Sequence, residues 1–177
     1  GVRPEQTPQI FVAALREQML RLAGRESDGA IINWLGADDV PQVASIVHDA
    51  AGGEEREIVA RIFVCPSDNT QVVRDAAKFA IAAYMNVPVY AKFQEWLGRG
   101  PQLEGMWSAW SGGDRKAALA AIPDEVVDSL IVHGTPEQCK EQIGRYLDNG
   151  VTTAALALLP LDKDLDQREA MRSLAGV

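Results

Sequence analysis

The sequence predicts an α/β protein made of four strand–helix units, which amounts to half of a (β/α)8 barrel. Short apolar runs alternate along the chain with segments in which apolar residues recur at helical spacing. The apolar runs are nearly continuous, which is typical of parallel strands that helices cover. A full barrel has eight such units and about 250 residues, whereas this chain has 177 residues.

The first unit begins with the apolar run IFVAA at residues 10–14, which predicts a strand. Leu15, Met19 and Leu22 follow at helical spacing and predict a helix. This helix is expected to end near residues 27–29, SDG, because glycine favours the turn that closes a helix.

The second unit has its strand at residues 30–32, AII. Either Asp38 or Asp39 is expected to cap the helix that follows, which ends at the glycine pair 52–53. The apolar face of that helix consists of Val40, Val43, Ala44 and Val47.

The third strand is predicted at residues 58–65, IVARIFVC, where β-branched residues are frequent. Residues 66–68, PSD, are expected to end the strand and cap a long helix. The predicted apolar positions of this helix are Val73, Ala76, Ala80 and Ala83.

Residues 86–123 depart from the pattern and predict a helical excursion of short pieces separated by glycines. Trp96, Trp107 and Trp110 lie within it. They either pack in a core or wall a substrate channel, since long excursions often cover active sites. Both interpretations stay open.

The regular pattern resumes with a capping box, in which Thr135 and Gln138 bond each other's backbone and Pro136 takes the first helical position. A fourth strand follows at residues 151–160, and a final helix at about 165–174. The predicted apolar face of the capped helix consists of Cys139, Ile143, Tyr146 and Leu147.

A half barrel leaves two strand edges unpaired, which is an aggregation hazard. The pairing must come from a missing half, from a second chain or from a different closed sheet. The chain opens at Gly1 without a methionine, as a piece of a longer protein or a tag remnant would. We therefore expect residues 1–177 to form a single partial domain.

The composition is that of an ordinary folded protein, 47% hydrophobic and 24% charged. With 17 Lys and Arg against 25 Asp and Glu, the net charge of −8 argues against nucleic acid as a partner. No apolar run is long enough for a membrane span, and Cys65 and Cys139 fit neither a disulfide framework nor a metal site. We expect a cytoplasmic protein with a small-molecule substrate.

Four residues lie where strands or loops meet the catalytic face of a barrel, which is formed by the carboxyl ends of the strands. Asn33 and Trp34 end the second strand and suit a polar ring edge and an apolar substrate, or else cap a turn and pack under the excursion. Cys65 ends the third strand and His133 precedes the capped helix, so both are candidate substrate contacts, with packing and capping as the alternatives. His48, on an outer helix, is expected to be structural.

Three stretches carry a resemblance to a known family: IFVAALREQMLRLAGRESDGAIINWL, VARIFVC and HGTPEQCKEQIGRYLDNGV. Together they resemble the luciferase-like monooxygenases, in the branch that uses the deazaflavin coenzyme F420. The resemblance implies that residues 10–14 are the fifth strand of a luciferase-like (β/α)8 barrel and residues 154–159 the eighth. It also implies that strands one to four are absent.

The resemblance further implies that the loop after the first strand of this chain offers backbone N–H groups to the coenzyme phosphate. The corresponding positions are Ala13, Ala14, Leu15, Arg16 and Glu17, and Asn33 joins them as a cofactor contact. The family often has Gly-Pro where Arg16 and Glu17 stand, so close approach of the backbone is in question. Arg16 offers a guanidinium to the phosphate instead, while Glu17 opposes the charge.

The function implied by the resemblance is hydride transfer between F420 and a small organic substrate in the barrel mouth. The alternatives are an FMN-dependent monooxygenase and a non-catalytic half barrel that dimerises in a structural or binding role. No catalytic residue is identified, because a general acid or base would come from the absent half. We accordingly expect this chain alone to be inactive. We also expect the protein to be a homodimer.

Overall fold

Residues 7–175 of the chain are described by a computed structural model. Gly1 and both ends of the predicted domain 1–177 lie outside these residues. The strands are β1 (Phe11–Ala13), β2 (Gly29–Asn33), β3 (Glu57–Cys65), β4 (Ile131–His133) and β5 (Thr153–Leu158). The helices are α1 (Glu17–Glu26), α2 (Val40–Ala51), α3 (Thr70–Met85), α4 (Pro88–Trp96), α5 (Gly100–Ser111), α6 (Arg115–Ala120), α7 (Asp124–Leu130), α8 (Pro136–Asp148) and α9 (Gln167–Leu174).

All strand pairs are parallel, and the main path of the sheet runs β1, β2, β3, β5. The short strand β4 pairs only with residues 63–65 of β3, beyond the stretch 57–61 that pairs with β2. Within residues 7–175, β1 and β5 each pair with one neighbour only. The sheet therefore has two free edges, as the half-barrel prediction requires.

The two faces of β3 differ in what covers them. Ile58, Ala60 and Ile62 are fully buried on the face toward α1, α2 and α8. Val59 is half-buried and Arg61 is exposed on the opposite face. This face would be the inner, concave face of a closed barrel, because the helices form the outer ring. This alternation follows from the two-residue period of a strand.

Two groups of buried apolar side chains form the core. The first lies between the sheet and the helices α1, α2 and α8, and includes Leu20, Val43, Ile58 and Ile143. The second joins the carboxyl ends of β2 and β3 to the excursion, and includes Trp34, Phe63, Ile81, Leu103 and Val127. The excursion, together with α3 and α7, thus packs against the carboxyl end of the sheet.

Helix α1 lies very close to α2 at Gly24. A Cβ added to Gly24 would stand 2.2 Å from the Val47 carbonyl oxygen and 2.9 Å from the Ala50 Cβ. The residues of α1 that are buried are accordingly Leu20, Ala23 and Gly24. The apolar face predicted from Leu15, Met19 and Leu22 is therefore rotated from the observed one, and Met19 is 43% exposed.

Most of the predicted elements are confirmed within a few residues, and several further details differ. Leu147, predicted on the apolar face of α8, is 38% exposed. The strand β4 was not predicted, because three residues directly after a helix carry no turn signal.

Helix α3 begins at Thr70, after Asn69 rather than Asp68. Its buried residues differ from the predicted alanines and are Val73, Ala77, Ile81, Ala82 and Met85. Asp39 accepts the Gly36 N–H at 2.7 Å in front of a short 3-10 helix and makes no cap hydrogen bond to α2.

Residues 86–123 hold α4, α5 and α6, and α7 follows before β4. No helix within the described range is long and apolar enough to cross a membrane.

Candidate functional site

The carboxyl ends of the parallel strands lie along one edge of the sheet, where a barrel has its catalytic face. Ala13, Asn33, Cys65, His133 and Leu158 are the last residues of β1 to β5 in that order. Four of the five were candidate site residues from the sequence. These residues do not form one common site, because each lies in a different environment.

A groove of about 480 Å³ opens where β1 passes into α1. Helix α4 of the excursion forms its second wall. The lining residues are Ala13, Leu15, Arg16, Glu17, Gln18, Met19, Val89 and Trp96. The groove therefore brings together four of the five residues of the predicted phosphate loop.

The backbone of this loop offers hydrogen-bond donors. The first backbone bond of α1 runs from the Leu20 N–H to the Arg16 carbonyl at 3.0 Å. Within the described residues, none of the five N–H groups of residues 15–19 donates to a protein acceptor, and no side chain caps α1. Free N–H groups at the positive end of a helix form a site for an anion.

Ala14 is the one residue of the predicted loop that does not line the groove, and it extends the sheet. It is buried, and its N–H donates to the Ile31 carbonyl at 3.0 Å. The free donors therefore begin at Leu15.

The charges beside these donors are arranged to favour an anion. Arg16 is exposed and has no ion-pair or hydrogen-bond partner for its guanidinium in the described part of the chain. The Glu17 carboxylate accepts a hydrogen bond from Arg21 Nε at 3.0 Å and forms an ion pair with the terminal nitrogen of Arg21 at 2.9 Å. Because Arg21 pairs with Glu17, the repulsion between the Glu17 carboxylate and an anion, which the sequence analysis expected, is reduced.

Trp34 lies outside this groove and inside the core. Its side chain is 2% exposed, with ring centroids 4.3 Å from Phe63 and 4.7 Å from Tyr84. Its carbonyl accepts a hydrogen bond from the buried Gln94 side chain at 2.7 Å. The structure thus shows the packing arrangement that the sequence left as one of two possibilities.

The backbone at Trp34 is strained, with φ of 53°. A left-handed conformation of a bulky residue costs about 1–2 kcal/mol. The adjacent polar atoms are also unusual, because Trp34 Nε1 and Asn33 Oδ1 are buried without a hydrogen-bond partner. Such strain and unpaired polar atoms are often found near functional sites.

His133 contacts a charged group between the sheet and the helices α3 and α7. Its Nε2 lies 2.9 Å from the Asp128 carboxylate, which also accepts two hydrogen bonds from Arg74, the shorter at 2.6 Å. Burial raises the pKa of Asp128, but the hydrogen bonds from Arg74 and His133 outweigh it and lower that pKa below its usual value. His133 lines a separate polar groove of about 400 Å³.

Neither cysteine is placed as a nucleophile. Cys65 is fully buried, and burial raises the pKa of its thiol. Burial raises the pKa of Cys139 to about 12. Thiols of this kind stay protonated near neutral pH and behave as small apolar groups.

The three tryptophans of the excursion have different surroundings. Trp96 lines the groove beside α1 and stacks on Phe93, with centroids 6.1 Å apart. Trp107 Nε1 donates to the carbonyl of Met85, the last residue of α3, at 2.8 Å. Trp110 is covered by the guanidinium of Arg115 at 3.6 Å.

A larger groove, of about 740 Å³, lies at the opposite end of the strands and includes His48. Asp28, Glu54, Glu55 and Glu57 make it acidic. Because this end of a barrel usually serves stability rather than catalysis, it does not compete with the groove beside α1 as the functional site. Within residues 7–175, no group of three or more His, Cys, Asp or Glu side chains is arranged to hold a metal ion.

A model of the luciferase-like monooxygenase family matches residues 2–153. The chain belongs to this family. A 5,10-methylenetetrahydromethanopterin reductase of Methanolobus tindarius is 31% identical to it over 154 residues, which cover 81% of this chain and 46% of the relative.

Two solved structures of F420-dependent enzymes share the fold. The coenzyme F420 dependent tetrahydromethanopterin reductase of Methanopyrus kandleri matches 94% of this chain and 48% of its own, with a TM-score of 0.73 and 18% identity. An F420-dependent secondary alcohol dehydrogenase, in complex with an F420-acetone adduct, matches 97% of this chain and 50% of its own, with a TM-score of 0.65 and 12% identity.

These matches confirm the predicted α/β fold of the luciferase-like barrel type, and the chain spans about half the length of the relatives. The predicted resemblance is likewise confirmed: a 5,10-methylenetetrahydromethanopterin reductase is a relative of this luciferase-like chain, and a coenzyme F420 dependent tetrahydromethanopterin reductase shares its fold.

Arg61 is a residue that the sequence analysis missed. It is a charged side chain in the middle of an otherwise apolar strand, and its Cα pairs in register with that of Asn33. An arginine inside the run IVARIFVC was the signal that could have found it, because a charge in a buried strand needs a partner.

Proposed function

We propose that the protein containing this chain is an oxidoreductase that transfers hydride between coenzyme F420 and a small organic substrate. The coenzyme phosphate would be held by the N–H groups of residues 15–19 and by Arg16. The kinship with F420-dependent reductases supports the coenzyme, and the groove beside α1 supports its place. A homodimer and a small-molecule substrate remain part of this proposal.

The observation that carries the proposal is the run of five unpaired N–H groups next to an unpaired guanidinium. A phosphate group needs several donors and a positive potential, and both are present at the start of α1. Charge repulsion from Glu17 is reduced by Arg21. The loss of the usual glycine in this loop is therefore compatible with phosphate binding, since the side chain of Arg16 supplies the missing attraction.

F420, when bound, supplies the hydride chemistry. The residues of this chain would bind and orient it, and the excursion would exclude water from the carboxyl end of the sheet. In the groove beside α1, no described side chain is placed as a general acid or base, apart from the paired Glu17. We therefore propose that proton transfer uses a group outside this chain, and that the chain alone is inactive.

The test is a fluorescence titration of F420, and in parallel of FMN, into the natural full-length protein. We expect F420 to bind more tightly than FMN. Tighter binding of FMN would favour a flavin-dependent monooxygenase, the activity in the name of the matching family. A folded dimer that binds neither would favour a structural or binding role.

The loop is tested by Arg16→Ala, with Arg25→Ala as the matched control. Arg25 lies in the last turn of the same helix, and both side chains are exposed. Loss of a charge-assisted hydrogen bond is worth about 1.5–3 kcal/mol, or roughly 10-fold to 150-fold in affinity. Arg16→Ala should weaken F420 binding by that factor and Arg25→Ala should leave it nearly unchanged. Equal affinities in the two variants would remove Arg16 from the phosphate site.

A further inference from the structure

The guanidinium of Arg61 forms no polar contact that would explain its position within the described residues. Arg61 lies on the concave face of β3 between Val59 and Phe63, and it is exposed. In the described residues its guanidinium has neither an ion pair nor a hydrogen-bond acceptor. The guanidinium carbon lies over the ring of Phe63, 4.8 Å from the ring centroid.

That contact leaves the hydrogen-bonding capacity of the guanidinium free. A guanidinium that stacks on a ring uses its flat face, while its five N–H donors point outward in the plane. A planar anion with two oxygens can therefore bind the edge of Arg61 without disturbing the stack on Phe63.

The neighbours of Arg61 complete a small recognition site. Asn33 is its cross-strand partner on β2, and Ala155 is its partner on β5. Partners in parallel register point to the same face of the sheet, so the Asn33 amide stands beside the guanidinium. Ala155 has only a methyl group and leaves room on the other side. Among residues 7–175, the Asn33 Oδ1 atom is buried without a hydrogen-bond partner, and the Asn33 amide nitrogen donates to no protein acceptor.

The concave face becomes the interior once a barrel closes. An interior charge without a counter-charge costs several kcal/mol, so Arg61 needs an anion there. One guanidinium and one amide carry a single positive charge, which matches a monoanion better than a phosphate dianion. The phosphate site proposed at α1 lies in a separate groove.

We propose that Arg61, with Asn33 beside it, binds a planar monoanionic group of the ligand in the barrel interior. The group is a carboxylate of the substrate or the ionised pyrimidine edge of the deazaflavin ring. This inference rests on the proposed function for the identity of the ligand, but the anion site itself can be tested without the coenzyme.

The first experiment measures binding of benzoate, a planar monoanion, to the coenzyme-free full-length protein by calorimetry. Arg61→Met should weaken benzoate binding at least tenfold. Arg61→Lys should weaken it at least threefold, because an ammonium keeps the charge but lacks the planar fork. Arg115→Met is the matched control, because Arg115 also stacks on an aromatic ring, Trp110, but on the excursion. This control should bind benzoate as the unchanged protein does.

The second experiment identifies the source of the anion by titrating F420 into the same proteins. If Arg61→Met weakens F420 binding at least tenfold and benzoate competes with F420, the anion is the ring edge. If F420 binds both proteins equally and benzoate binds together with it, the anion is a substrate carboxylate. A protein that binds benzoate through Arg61 but does not bind F420 would refute the proposed function and keep the anion site.

The proposal is overturned if Arg61→Met and Arg61→Lys bind benzoate as tightly as the unchanged protein. It is also overturned if Arg61→Met fails to fold while the folded Arg61→Lys protein shows no loss of benzoate affinity. That second result would mean that Arg61 pairs with a carboxylate of the protein.

Discussion

Glu17 and Arg21 are joined one turn apart on α1, with the Glu17 carboxylate 3.0 Å from Arg21 Nε and 2.9 Å from its terminal nitrogen. The pair keeps a negative charge at the start of the helix neutralised, next to the five free N–H groups of residues 15–19. The proposed phosphate site would therefore depend on Arg21, a residue that does not line the groove.

Replacing Arg21 tests the role of the ion pair between Glu17 and Arg21. Arg21→Ala should weaken F420 binding by roughly threefold to tenfold, because an unneutralised carboxylate near the helix start repels an anion. Adding Glu17→Gln to Arg21→Ala should restore most of the affinity, and the effect should shrink at high salt. An affinity that stays low in the double variant would mean that Arg21 acts in another way.

The contact between α1 and α2 predicts opposite effects for two glycines. Gly24→Ala should destabilise the protein by about 1–3 kcal/mol, because the new methyl group meets the Val47 carbonyl. Gly144→Ala in α8 should stabilise it by about 0.5–1 kcal/mol, since no atom lies within 4 Å of the added Cβ and alanine favours a helix. Urea denaturation measures both, and equal shifts would contradict the close approach at Gly24.

Trp34 combines a large buried ring with an unpaired N–H, so its replacements should differ sharply. Trp34→Ala should cost about 3–5 kcal/mol of unfolding free energy, because it empties the core beside Phe63. Trp34→Phe should cost less than about 2 kcal/mol, since it keeps an aromatic ring and removes the unpaired donor. Similar losses in both variants would show that Nε1 has a partner that the described residues do not include.

The local parts of the fold were predictable from sequence, as α8 shows. Thr135 and Gln138 are three residues apart and bond reciprocally, with distances of 2.9 and 3.3 Å, as their spacing predicts. Interactions between distant residues were not predictable in this way. Asp39 was expected to cap α2, yet it accepts a hydrogen bond at 2.6 Å from Arg99, sixty residues away.

In the candidate site, too, contacts between neighbouring residues were predictable from the sequence and contacts between distant residues were not. The groove residues 13, 15, 16 and 17 are consecutive or nearly so, and the structure brings them together. His133 was proposed without a partner. Its partner Asp128 lies only five residues earlier, but Arg74, which also binds Asp128, lies 54 residues away from it and could not be inferred from spacing. Arg61 was missed because its importance depends on which face of β3 becomes the interior.

The lowered pKa of Asp128 predicts how stability depends on pH. A carboxyl whose pKa is depressed in the folded state stabilises the protein above its unfolded pKa of about 3.9, and this stabilisation is lost as the pH falls through the folded value. The difference in urea midpoint between the unchanged protein and Asp128→Asn should thus shrink as the pH falls below about 4. Asp148→Asn, an exposed control on α8, should show no such change. A difference that stays constant down to pH 3 would contradict the ionic role of Asp128.

The central claim is that the start of α1 binds the coenzyme phosphate. Its most direct test compares the affinities of F420 and of a phosphate-free deazaflavin nucleoside for the full-length protein and for Arg16→Ala. We predict that the unchanged protein prefers F420 by at least tenfold and that Arg16→Ala loses most of this preference. Equal affinities of the unchanged protein for the two compounds would contradict the claim.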